Sequence, residues 1–301
     1  MQLHQGERKN KQRIDKIAYV FTLPYMLFFF TFTVLPVLIS IGLSLTSFNI
    51  INPPKWVGLE NYFTLILDDD VFIKSCGNTL VMATVIGPGG YLLSLFLAWL
   101  INDLTPRLRA LLTLIFYAPS ISGNVYLIWK VLFSGDSYGY INGILMNLGI
   151  VGSPVQWLIT PKYMMAVVII VSLWSSLSTS FLSFIAGLQG VERVLYEAAA
   201  VEGMRNRWQE LWYVTLPSIR PQLLFGSVMS ITSAFGVGQI TTAMCGNPST
   251  DYAVHTIMNH LEDYGGIRFE MGYASAIATV LFMMMILANT VIKRILSKVG
   301  T

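Results

Sequence analysis

Charge-free apolar windows alternate along the chain with short polar segments. Six are long enough to hold a membrane helix, which needs about 20 mostly apolar residues. They run over 17–54, 75–102, 110–129, 163–191, 221–250 and 271–292. The helices inside them are predicted at 18–45, 79–101, 110–130, 163–187, 219–241 and 271–293. A further uncharged window, 137–161, carries Gly139, Gly143, Gly149, Gly152, Asn142, Asn147, Pro154 and Pro161. That punctuation predicts a loop with a short surface helix, not a span. The first window follows basic residues as a signal peptide does. Its apolar run far exceeds a signal's core of roughly 7–15 residues, so it is expected to be retained. Pro24 and Pro36 are expected to bend it.

Composition supports this pattern. The 301 residues are 54% hydrophobic and only 12% charged, with a mean hydropathy of +0.61. Soluble domains carry roughly 25% charged residues. The expected fold is all-α: a polytopic membrane protein with a basic tail over 1–16 and a single transmembrane domain over 17–301. A net charge of +3, scattered along the chain, does not suggest nucleic acid. Cys76 and Cys245 exclude a disulfide framework and a cysteine zinc site. Both fall at the same ends of their spans, so topology would allow them to pair.

Charge placement orients the bundle. Most of the 19 Lys and Arg residues fall on one side if six spans start with the N-terminus inside. These are Arg8, Lys9, Lys11, Arg13 and Lys16 in the tail, Arg107 and Arg109 in the second connection, Arg193, Arg205, Arg207 and Arg220 in the fourth, and Lys293, Arg294 and Lys298 at the end. By the positive-inside rule both termini are cytoplasmic.

Candidate chemistry is sparse. Asp68-Asp69-Asp70 lacks the alternating spacing of a calcium loop and reads as a solvated helix cap. Gly87-Pro88-Gly89-Gly90 lies mid-span and allows close helix approach; no Walker sequence occurs, so the chain has no nucleotide loop of its own. His255 and His260, five residues apart, do not share a helix face and read as part of a wet surface helix. The fourth and fifth spans are rich in hydroxyls. Such groups commonly bond their own backbone. The functional alternative is a polar pathway for an uncharged, hydroxyl-rich solute, formed by Trp174, Ser176, Thr179, Ser230 and Ser233, with Trp174 as a stacking platform. No ionisable residue lies near the middle of any window. That argues against ion-coupled transport and against acid–base or metal chemistry within the membrane. No catalytic residue, metal or cofactor is expected.

The longest charged segment between two spans covers 192–221. It contains Glu197-Ala198-Ala199, then Gly203, then Val214-Thr215-Leu216-Pro217. Val194, Leu195, Ala198, Ala199 and Val201 place apolar surface at helical spacing. Gly203 can end that helix in a left-handed turn and Pro217 can begin the next element.

This pattern resembles the EAA motif of ABC-importer permeases. Tyr196, Trp208-Gln209 and Trp212 are similar to the carbohydrate-uptake group, which includes maltose, lactose and glycerol-phosphate permeases. Val57-Gly58-Leu59-Glu60-Asn61-Tyr62, Asn78-Thr79, Ala118-Pro119-Ser120-Ile121-Ser122, Ala186-Gly187-Leu188-Gln189 and Tyr273-Ala274-Ser275-Ala276 also look like landmarks of that group. Glu202 stands where the family usually has Asp, and Met204 where it usually has Ala. Ten residues, not nine, separate Gly203 from Val214; the added one is expected in the turn 204–207.

The resemblance implies a permease subunit of a sugar importer that does no chemistry itself. Its coupling loop, 188–218, would seat in a cytoplasmic ATPase through Tyr196, Glu197, Ala198, Ala199, Glu202, Gly203, Leu216 and Pro217. The implied partners are a second homologous permease subunit, two ATPase subunits and an external solute-binding protein in a bacterial cell membrane. The competing readings are a self-contained secondary carrier for a neutral solute and a non-transporting membrane scaffold.

Overall fold

The computed structural model describes residues 19–123 and 126–296, and the tail expected over 1–16 lies outside them. In chain order the first elements are α1 (Tyr19–Leu43), the two-residue strands β1 (Thr46–Ser47) and β2 (Lys55–Trp56), and α2 (Glu60–Leu67). Then come α3 (Asp70–Asn102), α4 (Pro106–Ile121), α5 (Tyr126–Leu132) and α6 (Tyr140–Asn147). The second half holds α7 (Pro161–Ser175), α8 (Thr179–Gln189), α9 (Arg193–Val201), α10 (Arg207–Glu210), α11 (Arg220–Phe235), α12 (Gly238–Cys245), α13 (Ile257–Glu262) and α14 (Met271–Leu296). Among the described residues, five helical stretches are long and apolar enough to span a membrane, and six if the bent pair α4 and α5 counts as one.

α3 is the axis of the bundle and packs against α7, α8 and α11. At 33 residues it is roughly 50 Å long. It starts at Asp70, well before the expected residue 79, because Asp69 caps it. Asp69 Oδ1 accepts from Phe72 N at 2.8 Å, satisfying one of the orphan donors of the first turn. Within α3, Gly90 leaves no Cβ, and that space is filled by Ser176 from the fourth span. A side chain there would collide with Ser176, so the mid-span glycines do what their placement predicted.

Three spans expected as continuous helices are broken. The third turns by 89° between α4 and α5. Pro119 sits in its last turn and Ser122 is extended at φ −89°, ψ 107°. The fourth breaks between α7 and α8, where Ser178 leaves helical geometry at φ −127°, ψ −139°. The fifth begins at Arg220 and continues to Cys245, past the expected residue 241, after a break between α11 and α12. Apolar windows report membrane depth but not continuity. Helix breaks at that depth persist where neighbouring protein surrounds them.

α1 carries a π-turn, Phe30–Val34, just ahead of Pro36. This is a common way for a helix to absorb a local irregularity. It packs against α14, and its remaining surface is a stripe of exposed aromatic and aliphatic side chains. Its end is gripped by α2: Asn61 Nδ2 donates to the carbonyls of Ser44 and Thr46 at 2.8 and 3.0 Å. Tyr62 OH and Ser44 Oγ lie 2.7 Å apart.

The rejected window 137–161 holds only the short helix α6. The fully buried Asn142 closes this loop: its Nδ2 lies 3.1 Å from the carbonyls of Ser134, Asp136 and Val155. Its Oδ1 accepts from Val155 N and Trp157 Nε1 at 3.1 and 2.9 Å. Cys76 and Cys245 are both free, so the pairing that topology allowed is not made.

Candidate functional site

The 192–221 stretch folds at one end of the bundle. α9 ends in two bonds, from Gly203 N to Ala200 O and from Met204 N to Ala199 O, each 3.1 Å. Gly203 sits between them at φ +95°. This is a Schellman termination, and a side chain at such a φ is strained. Ala199 is the one buried residue of α9; Glu197, Ala198, Glu202 and Gly203 are exposed. Tyr196 OH lies 2.9 Å from Thr215 Oγ1, which joins the start of the stretch to its end. Leu216 is buried and Pro217 partly so, and Pro217 lies in the first turn of a short helical segment, Leu216–Ser218.

The exposed side mixes the Glu197 and Glu202 carboxylates with large apolar side chains. Val194, Leu195 and Val201 project from α9, and Trp212 and Tyr213 from the following turn. A 240 Å³ hollow opens beside them, lined by Glu202, Gly203, Met204, Gln209 and Tyr213. The turn at 204–206 is tightly closed. Asn206 Oδ1 accepts from Gln209 N at 2.9 Å, and Gln209 Oε1 accepts from Arg205 N at 3.0 Å. A π-turn follows at Leu211–Thr215. One extra residue fits there without displacing either flanking helix, a second place besides 204–207 for the residue added to the family pattern.

The five pathway candidates differ in burial and in their neighbours. Trp174 is half-buried, its ring edge-on to Trp129 with centroids 5.4 Å apart. Ser176 is buried against Gly90 and donates to Leu173 O at 2.6 Å. Ser230 is buried, whereas Thr179 and Ser233 are exposed. Several hydroxyls bond back to their own helix, including Ser227 to Leu224 O and Thr232 to Val228 O. Around the break of the fourth span the Oγ atoms of Ser172, Ser175 and Ser180 are buried and have no partner among the described residues. Local back-bonding accounts for Ser176, Ser227, Thr232 and Thr241, and the break of the fourth span concentrates buried hydroxyls that such bonding does not satisfy.

At the opposite end lies a polar network that the sequence reading missed. His255 and His260 are 4% and 2% exposed, not on a wet surface helix as expected. Residues 250–262 fold back into the bundle and are held by α3. Asn78 Nδ2 donates to the carbonyls of Tyr252 and His255, each at 2.9 Å, and Thr79 Oγ1 accepts from Ile257 N at 3.0 Å. Thr256 and Asn259 cap α13 reciprocally, and Asn259 Nδ2 reaches Gly238 O at the break of the fifth span. Asp69 is a partly buried anchor as well as a cap. Its Oδ2 accepts from Tyr273 OH at 2.8 Å and lies 3.0 Å from His260 Nε2. The only available hint was Asn78-Thr79, whose importance for this segment depends on a partner about 180 residues away.

Burial alone would raise the Asp69 pKa. The Phe72 N–H, the Tyr273 hydroxyl and His260 outweigh it and hold the carboxyl below its usual value. Burial lowers His260 despite the opposing pull of Asp69. It lowers His255 to about 4, assisted by His260. With Asp69 ionised and His260 neutral, the Nε2 proton of His260 donates to Asp69. No group of three or more metal-ligating side chains occurs among the described residues.

Residues 71–299 match the family described as binding-protein-dependent transport system inner membrane component. The probable ABC transporter permease protein YesP of Bacillus subtilis is 32% identical over 90% of this chain and 87% of its own. The arabinooligosaccharides transport system permease protein AraP of the same species is 28% identical over 91% and 86%. The lactose transport system permease protein LacF of Rhizobium radiobacter is 29% identical over 76% and 75%. A solved chain from a bacterial ABC transporter that imports the acidic polysaccharide alginate superposes with a TM-score of 0.73. It has 25% identity and covers 96% of this chain and 99% of that one.

Proposed function

This chain belongs to the binding-protein-dependent transport system inner membrane component family, and we propose that it is the permease subunit of an ATP-driven importer for a sugar, an oligosaccharide or glycoside. It is a multi-pass inner-membrane protein. Both termini and the 188–218 loop lie in the cytoplasm. Residues 17–301 act as one transmembrane domain, paired with a second homologous subunit. Two ATPase subunits hydrolyse ATP, and an external binding protein delivers the solute.

The observation that carries this reading is the helix Arg193–Val201. It ends in a left-handed glycine and presents exposed Val194, Leu195 and Val201 at one end of a membrane bundle. Exposed apolar surface of this kind beyond the spans calls for a protein partner. Tyr196, Glu197, Ala198, Ala199, Glu202, Gly203, Leu216 and Pro217 form the joint, with Gly203 setting the angle at which α9 is presented. ATP-driven closure of the ATPase pair moves the joint and switches the pathway, which passes Trp174, Ser176, Thr179, Ser230 and Ser233. An uncharged glycan suits spans with no ionisable residue at mid-depth. It also suits the 970 Å³ hollow at the other end, whose lining includes Glu60, Asp68, Asp69, Asp70 and Glu270.

Gly203→Asp tests the joint, because it strains the φ +95° position and adds charge at the docking surface. Uptake should be lost while the protein remains in the membrane. Normal uptake by this variant would refute the joint. Trp174→Ala should change solute-dependent stimulation of ATP hydrolysis without releasing the ATPase; unchanged stimulation removes Trp174 from the pathway.

A further inference from the structure

The arginine-rich turn of the joint reaches α3. Arg207 forms an ion pair with Asp103, the residue that ends α3. The same guanidinium lies over the Trp99 ring, 4.9 Å from its centroid. Trp208 flanks the same indole, with ring centroids 5.0 Å apart. Trp99 and Asp103 are four residues apart at the end of one helix, so they share a face. Arginine is the side chain that can stack on an indole and pair with a carboxylate in a single pose. Its own position is fixed, because it is the first residue of α10 behind the Asn206 cap and the Arg205–Gln209 brace. On the inward side, Ala98 and Ile101 of the same stretch of α3 pack with Phe184, Leu188, Leu216 and Ile219, which flank the joint. Farther along α3, Gly90 seats Ser176 at the break of the fourth span.

We propose that Arg207 is a positioning residue that clamps the joint to α3. The turn and the adjoining end of α3 then move as one body, and displacement of the joint reaches the Gly90–Ser176 contact. This rests on the permease reading above. It assigns α3, a span that does not adjoin the joint in sequence, as the element that carries the motion.

The test uses the full transporter complex with spin labels at Leu100→Cys on α3 and Arg205→Cys in the turn, both exposed positions. Their separation is measured without nucleotide and with MgATP plus vanadate. With Arg207 present, the separation should stay unchanged between the two states. Arg207→Glu should let the two sites separate on nucleotide trapping, by a shift on the order of 2–5 Å, the scale of helix displacements in such transitions. Adding Asp103→Arg to Arg207→Glu should restore the fixed separation. A separation that moves with Arg207 present, one that stays fixed in Arg207→Glu, or a failed rescue by the charge swap would each overturn the clamp. Loss of the ATPase from the purified Arg207→Glu complex would also overturn it, by making Arg207 a docking residue. Normal uptake by Gly203→Asp would instead refute the joint itself, whatever Arg207 does.

Discussion

The two ends of α3 are fastened in opposite ways. At the Asp69 end the contacts are buried: one carboxylate receives a tyrosine hydroxyl, an imidazole and a backbone N–H, and Asn78 and Thr79 hold the next segment by its backbone. At the Asp103 end the ion pair is half-exposed, with side-chain exposures of 49% for Arg207 and 57% for Asp103, and aromatic stacking supplements it. Buried polar groups are costly to leave unpaired, so the first arrangement is effectively all-or-none. Exposed ion pairs are weak alone, so the second relies on the stacking of Arg207 and Trp208 on Trp99 to hold the turn in place. A buried lock at one end and a half-exposed clamp of ion pair and stacked rings at the other suit a helix that transmits motion.

The largest expected effect lies at the lock. Asp69→Ala leaves the His260 N–H and the Tyr273 hydroxyl without their acceptor and removes the α3 cap, with an expected destabilisation of about 3 kcal/mol. Thermal unfolding of the purified protein measures it; an unchanged transition would mean that the network is not load-sharing. Acid should distinguish the ends next. His255 has a folded pKa of about 4, below its ordinary 6.5, so the unfolded state takes up the proton first. Its contribution is complete above 6.5 and is lost as pH falls toward 4. The slope approaches tenfold in the folding equilibrium per pH unit. His260, also lowered, acts in the same direction. Asp69, held below its ordinary 3.8, adds its loss only at still lower pH. Hydrogen exchange should therefore rise in 250–264 on acidification before it rises in 193–218, and equal responses would erase the contrast.

At the joint the effects shrink. Trp99→Ala removes the platform shared by Arg207 and Trp208 and should cost about 1 kcal/mol. The check is whether amide exchange in 204–210 accelerates by roughly tenfold or less. Asp103→Asn should cost well under about 1 kcal/mol and lose even that at high salt. A salt-insensitive loss of several kcal/mol would make this end a lock as well.

Much of the architecture was legible in the chain. Uncharged windows located the spans because bilayer thickness sets a minimum apolar length. The glycine and asparagine punctuation of 137–161 marked a loop, and that segment forms only α6. Gly203 was readable as a left-handed terminator because only glycine occupies that region without strain. The breaks were harder. Ser176–Ser178 and Gly236 resemble other positions in apolar helices, and whether the chain breaks there depends on what neighbouring helices supply. The histidines were misplaced for a similar reason. A polar segment between two spans looks wet, and only the return of 250–262 against Asn78 and Thr79 makes it buried.

The sequence by itself determined the membrane class, the number of apolar windows and the left-handed turn at Gly203. Those properties depend on hydropathy, charge and single-residue φ preference, each of which acts over one helix length or less. Only the tertiary structure decided that Asp69 would anchor His260 and Tyr273, that Ser176 would fill the space at Gly90, and that Arg207 would reach Trp99 and Asp103. Each of those contacts joins residues about 85 to 205 positions apart, and neither partner carries a local signal for the other. Their pairing is set by how the helices pack.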